Sequence, residues 1–210
     1  MHNGIALSLS ATKRAPSRSE APSDEALIYR IAAGDQNAMR ILFRRHEVRL
    51  YRFVQRLLGN NDAATAEDIV SEVFLQVWRQ AARFEGRSQV LTWLLAIARF
   101  KTLTAIKGAP VKQLDLGAAA ASADPGEGPE AAAHRNDVSA ILRKCLRQLS
   151  LAHREVIDLV YYHERTVAEA AVILNVPPNT VKTRMFYARK QLAQLLASGA
   201  GNESSFEFLE

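Results

Sequence analysis

An all-α fold is predicted: two small helical domains joined by a flexible linker, the C-terminal one containing a helix-turn-helix. Three observations carry this. Apolar residues recur three and four apart through residues 24–107 and again through 138–197, the period of helices that bury one face. Runs that alternate apolar with polar, as a half-buried strand requires, are nearly absent. Between the two blocks lies GAPVKQLDLGAAAASADPGEGPEAAAHRN, with four glycines, three prolines and few side chains able to build a core.

The elements follow in order. Residues 1–23 are rich in Ser, Ala, Pro and charge without an apolar period, and are expected to be a disordered tail. Ser23 caps a first helix, Glu25 suits the positive end of its dipole, and Leu27, Ile28 and Ile31 form its inner face before Gly34-Asp35. A second helix over 38–58 turns Leu42, Phe43, Leu50, Phe53, Val54 and Leu57 inward, and Gly59-Asn60-Asn61-Asp62 ends it. Thr65 to Ala82 is the most periodic stretch: Ile69, Val70, Val73, Phe74, Val77 and Trp78 are expected in a broad buried stripe. After a loop at 84–88, a helix over 89–107 carries Leu91, Leu94, Leu95, Ile97 and Ala98. These make the domain at 24–107 a helical bundle.

Beyond the linker at 108–137, a helix is expected with Val138, Ile141, Leu142, Cys145, Leu146 and Leu149 inward, and another with Val156, Ile157, Leu159, Val160 and Tyr161 inward. Thr166 and Glu169 have the spacing of a capping box for a short helix, 167–174. Asn175 tolerates a left-handed turn, and a longer helix over 179–196 sets Val181, Met185, Ala188, Leu192 and Leu195 inward. Short helix, tight turn and longer basic helix form a helix-turn-helix within the domain at 138–197. An acidic tail, 198–210, closes the chain.

Composition narrows the function. The 210 residues are 48% hydrophobic and 23% charged, proportions of an ordinary globular protein. One cysteine excludes an internal disulfide framework and fits a reducing compartment. No apolar run approaches the ~18 residues of a membrane span, so no membrane insertion is expected, and the polar N-terminus does not read as a signal peptide. A cytoplasmic protein is the expectation. The net charge of +5 is unevenly spread: the two domains are net +4 and +5, the linker region and the last 13 residues net −3 each. Two basic modules separated by an acidic stretch point to a polyanionic partner. No cofactor or metal is expected, because the five histidines show no ligand spacing, and no phosphate loop or nucleophile motif marks an enzyme.

The outward face of the last helix offers Thr180, Lys182, Thr183, Arg184, Phe186, Tyr187, Arg189 and Lys190. A helix lying in the major groove needs cations for phosphates, donors for base edges and apolar groups for thymine methyls. That set is present, with four cations and no acid. A stand-alone helix-turn-helix regulator would explain it, but would leave residues 65–107 without a role and would normally require dimers. A mimic acting through protein contacts alone would leave the basic face unexplained.

Three segments together, AEDIVSEVFLQVWRQAARFEG, LTWLLAIAR and LSLAHREVIDLVYYHERTVAEAAVILNVPPNTVKTRMFYARKQL, resemble the extracytoplasmic-function sigma factors of the bacterial sigma-seventy family. The resemblance covers roughly 24–107 and 138–197. It implies a non-enzymatic subunit that binds core RNA polymerase and promoter DNA, in a stress or signal response, under control of an anti-sigma factor. It places core polymerase on Asp68, Ser71, Glu72 and Gln76. It places the melted minus-ten strand on Arg87, Ser88, Trp93, Arg99, Phe100 and Lys101, and the minus-thirty-five duplex on the 180–190 face. Stacking surface and cations of this kind suit an unpaired base and its backbone. The chain departs from the family pattern at Phe100, where Asn is usual, and at Tyr187, where Arg is common. An altered promoter preference is therefore expected.

Overall fold

A computed structural model describes residues 21–59, 62–108 and 141–199. The disordered tail, most of the linker and the acidic C-terminus expected above lie outside the described residues, as does Val138. Eight α-helices account for the fold, and no strand occurs among the described residues.

Helix α1 (Asp24–Ala32) starts where Ser23 accepts the Ala26 amide at 3.2 Å. Helix α2 (Gln36–Leu58) is capped by Asp35, whose carboxylate accepts from the amides of Asn37 and Ala38 and binds Arg30. Helix α3 (Ala63–Gln80) is capped by Asp62, and its last turn tightens into a short 3-10 segment, Ala81–Arg83. Helix α4 (Val90–Gly108) follows the 84–89 loop. Leu27, Leu42, Leu50, Phe53, Val73, Val77, Leu94 and Leu95 on these four helices are fully enclosed. Each such side chain contributes about 1.5–3 kcal/mol through burial.

The C-terminal domain begins with α5, helical over 141–148, then α6 (Leu151–Ile157), which Ser150 caps. Helix α6 runs on into a π turn, Asp158–Tyr162. Helix α7 (Val167–Leu174) has the expected capping box, with Thr166 and Glu169 each bonding the other's backbone. Asn175 is left-handed at φ 52°, and α8 (Pro178–Gly199) completes the helix-turn-helix. Proline suits the first turn because no amide is needed there.

Three expected core positions lie at the surface. Trp78 is 37% exposed because it sits at the edge of the α3 stripe. Ile141 is 44% exposed: helical side chains lean towards the N-terminus, which carries this one past the packed region. Tyr161 is 53% exposed because the π turn shifts the helical phase, swinging it and Tyr162 outward.

The two domains are not merely tethered. Helix α7 packs on α4 and α6 on α2, and one continuous apolar cluster runs from Leu27 to Ala188. Gly59 ends α2 at φ +69°, and a Cβ there would lie 2.5 Å from Nη1 of Arg154, a C-terminal-domain side chain.

Candidate nucleic-acid interface

Three surfaces carry the residues singled out above. On α8, Val181 and Ala188 are fully buried and set the rotation of the helix. Lys182, Thr183, Phe186, Tyr187, Arg189 and Lys190 consequently face outward, with Thr180 and Arg184 half-buried beside them. Phe186 and Tyr187 meet edge to face, centroids 5.3 Å apart. Thr183 donates its hydroxyl to Asn179 O at 3.0 Å, leaving its oxygen lone pairs and methyl outward. The face is cationic and aromatic, and α8 contains no acid.

The second surface spans the 84–89 loop and α4. Trp93 is half-buried and packs on Phe84, centroids 5.0 Å apart. Its indole is therefore mainly a packing group with an accessible edge. Arg87 is exposed and pairs with Glu85, Ser88 is half-buried, and Phe100 is 67% exposed. The two cations flanking Phe100 point elsewhere. Lys101 bonds Glu72 of α3 at 2.9 Å, and Arg99 grips Glu155 of α6 with Nε at 2.6 Å and Nη2 at 3.4 Å.

The third surface is the outer face of α3, where Asp68, Ser71 and Glu72 are exposed and Gln76 is half-buried. Composition-based reading missed its apolar part: Leu75 is 48% exposed and, with Trp78, makes the face amphipathic. Glu72, Leu75, Gln76, Arg79, Gln80 and Lys101 line a shallow groove there. Through the Glu72–Lys101 pair this face adjoins the α4 surface.

Sequence reasoning also missed the polar contacts between the domains. Arg56 of α2 pairs with Asp158, donates to Nε2 of His163 at 3.3 Å and stacks over the Tyr162 ring at 4.5 Å. Arg154 donates to the Arg56 carbonyl, and burial pushes its guanidinium pKa down. Thr92 and Arg165 both donate to Glu169 Oε1, and Arg165 also reaches Gln89. Burial works to raise the Glu169 pKa, but its bonds from Thr166, Arg165 and Thr92 outweigh that and hold it below the usual carboxylate range. Glu155, Asp158 and His163 are each 2% exposed. Carboxylates set into the apolar run REVIDLV were the available signal, since buried charge requires a partner.

Among the described residues no three His, Cys, Asp or Glu side chains converge as a metal site, and no helix is long and apolar enough to cross a membrane. Cys145 is buried in α5, and His153 bonds Gln191 at 3.0 Å.

Comparison with known proteins bears on these surfaces. Residues 42–109 match the Sigma-70 region 2 family model, and residues 139–192 match Sigma-70, region 4. The chain is 30% identical over 175 residues to the ECF RNA polymerase sigma factor SigK of Mycobacterium tuberculosis, covering 82% of this chain and 92% of SigK. It is 26% identical over 182 residues to the RNA polymerase sigma-H factor of Pseudomonas aeruginosa, covering 82% and 93%. Among solved structures, CnrH in complex with the cytosolic domain of CnrY superposes with a TM-score of 0.62 at 24% identity, covering 83% of this chain and 97% of CnrH. The sigma factor RpoE of Bartonella quintana, in complex with the anti-sigma factor NepR, gives 0.59 at 23%, covering 75% and 96%. Two region models in order, joined to a relative of this identity and coverage, settle the family: the chain belongs to the sigma-70 family as an ECF RNA polymerase sigma factor.

Proposed function

We propose that this sigma factor divides its work among the three surfaces. The domain at 24–107 docks on core polymerase through Asp68, Ser71, Glu72 and Gln76, with Leu75 as the apolar centre of that face. The loop at 85–88 and α4 hold the melted minus-ten strand: Arg87 and Ser88 approach the backbone, while Phe100 and the edge of Trp93 offer stacking surface. Phe100 can stack on a base but cannot hydrogen-bond its edge, which favours a minus-ten preference unlike that of relatives with Asn. The domain at 138–197 reads the minus-thirty-five duplex with Lys182, Arg184, Arg189 and Lys190 on phosphates and Thr180, Thr183, Phe186 and Tyr187 towards the bases. The chain itself catalyses nothing and works in the cytoplasm, where polymerase meets the chromosome.

The observation that carries this reading is the pairing of an acid-free, cationic, aromatic α8 face with a separate amphipathic α3 face. A stand-alone regulator would have no use for the second. CnrH and the Bartonella RpoE were each solved with a bound protein partner, in RpoE an anti-sigma factor. Control of this chain by an anti-sigma factor, released in a stress or signal response, extends the same reading. The test is run-off transcription by purified core polymerase with and without the chain. New promoter-dependent transcripts are expected, and a transcript pattern unchanged by the chain would overturn the reading.

A further inference from the structure

The outward face of α8 is uncovered along the helix among the described residues. Lys182, Phe186, Tyr187, Arg189 and Lys190 are exposed on it. Towards the C-terminal end the same stripe continues as Ala193, Gln194, Ala197 and Ser198, all uncharged and equally exposed. None of the four cations pairs with an acid among the described residues, and α8 itself contains none. The Phe186 and Tyr187 rings meet edge to face and are 56% and 53% exposed, so a further ring can pack on them.

Residues 200–210, AGNESSFEFLE, follow α8 directly and lie outside the described residues. They also lie beyond the residues that region 4 accounts for, which end at 192. Glu203, Glu207 and Glu210 come with no cation, and Phe206, Phe208 and Leu209 are set among them. Glutamates just past a helix C-terminus meet the negative end of its dipole, which disfavours continuing along the axis, and glycines at 199 and 201 suit a reversal. At 1.5 Å per residue, Lys190 lies about 14 Å back from Gly199, Phe186 about 20 Å and Lys182 about 26 Å. An extended chain spans at most about 3.5 Å per residue, so Glu203 reaches about 14 Å, Phe206 about 25 Å and Glu210 about 39 Å. Laid backwards along α8, acid, aromatic and acid meet cation, aromatic and cation in the same order.

We propose that residues 200–210 dock in cis on the outward face of α8. Glu203 lies beside Arg189 and Lys190, Phe206 and Phe208 pack on the Phe186–Tyr187 pair, and Glu207 and Glu210 face Lys182 and Arg184. The tail then stands where phosphates and thymine methyls would lie, and competes with duplex for the face. The proposal rests on α8 as the duplex-reading helix and goes beyond it. Exposed ion pairs are individually weak, so a free peptide of this composition would hold poorly. Tethering changes that. A short linker gives an effective concentration of about 1 mM, so a docking constant of about 0.25 mM masks the face in about four chains of five.

The test uses the full chain without polymerase. Backbone amide spectra of wild type are compared with those of a Phe206→Ser, Phe208→Ser double variant, and affinity for a short mixed-sequence DNA duplex is measured by fluorescence anisotropy. This variant leaves every charge in place. It should shift the amides of residues 182–190 and bind duplex about fivefold more tightly, the gain from unmasking about four chains in five. A Glu203→Gln, Glu207→Gln, Glu210→Gln variant should do the same. A gain confined to the glutamine variant would mean long-range repulsion without docking and would overturn the proposal. Unmoved 182–190 amides in the serine variant would overturn it too, as would a wild-type spectrum that changes on dilution, which would put the tail on a second copy. Shifted amides with unchanged duplex affinity would uphold the docking and remove α8 as the duplex-reading helix, so the two failures are distinguishable.

Discussion

His46 shows how one buried residue ties the N-terminal helices together. Its ring is 5% exposed in α2, its Nε2 donates to Asp24 of α1 at 2.7 Å, and Arg45 bonds the other Asp24 oxygen. Burial lowers its pKa from 6.5, outweighing the pull of Asp24, while Arg45 and Arg49 push the same way as burial. The unfolded chain therefore binds this proton at a higher pH than the folded one does. Stability from the neutral ring is present above about pH 6.5 and is lost as pH falls through that value towards the folded pKa. Urea unfolding between pH 7.5 and 5.5 should show that loss, and His46→Gln, which retains a donor for Asp24, should flatten it. An equal slope in both proteins would place the titration elsewhere.

At the scale of single elements, α8 is the most exposed to test. Lys182→Ala or Arg184→Ala should weaken binding to promoter duplex across sequences and reduce the slope of log affinity against log salt by about one. Thr180→Ala should instead leave the slope alone and relax base preference. Equal slopes for all three variants would remove Lys182 and Arg184 from the phosphate track. The helix-turn-helix was legible because its signals are local: the Thr166–Glu169 box, Asn175 and the 181, 185, 188 period all act within one turn of where they are written. The π turn at Asp158–Tyr162 was not, since nothing local in DLVYY signals it, and the partner of Asp158 and His163 that flanks it is Arg56, a residue about a hundred positions earlier. The same limit applies to the candidate sites. Exposure of Phe100 and the α8 aromatics could be read from periodicity, but the capture of Arg99 by Glu155 and of Lys101 by Glu72 could not. Charge counting located cations and left their partners unknown.

At the scale of the molecule, the continuous apolar cluster and the α4–α7 contact make the two domains one cooperative body despite the segment between them. Calorimetry of the wild-type chain should show a single unfolding transition, and the Glu155→Gln, Asp158→Asn variant should resolve into two. Two transitions in wild type would mean the domains melt independently. Gly59 concentrates this dependence in one residue: its left-handed turn ends α2, and its bare Cα leaves the berth in which Arg154 lies. Asparagine at that position would preserve the turn, since its side chain accepts the left-handed region, yet would fill the berth. The displaced group is the free end of a flexible side chain, so Gly59→Asn should cost the Arg154 bond to the Arg56 carbonyl while the halves stay packed; the bare Cα is a seat kept for a neighbour rather than a hinge of its own chain.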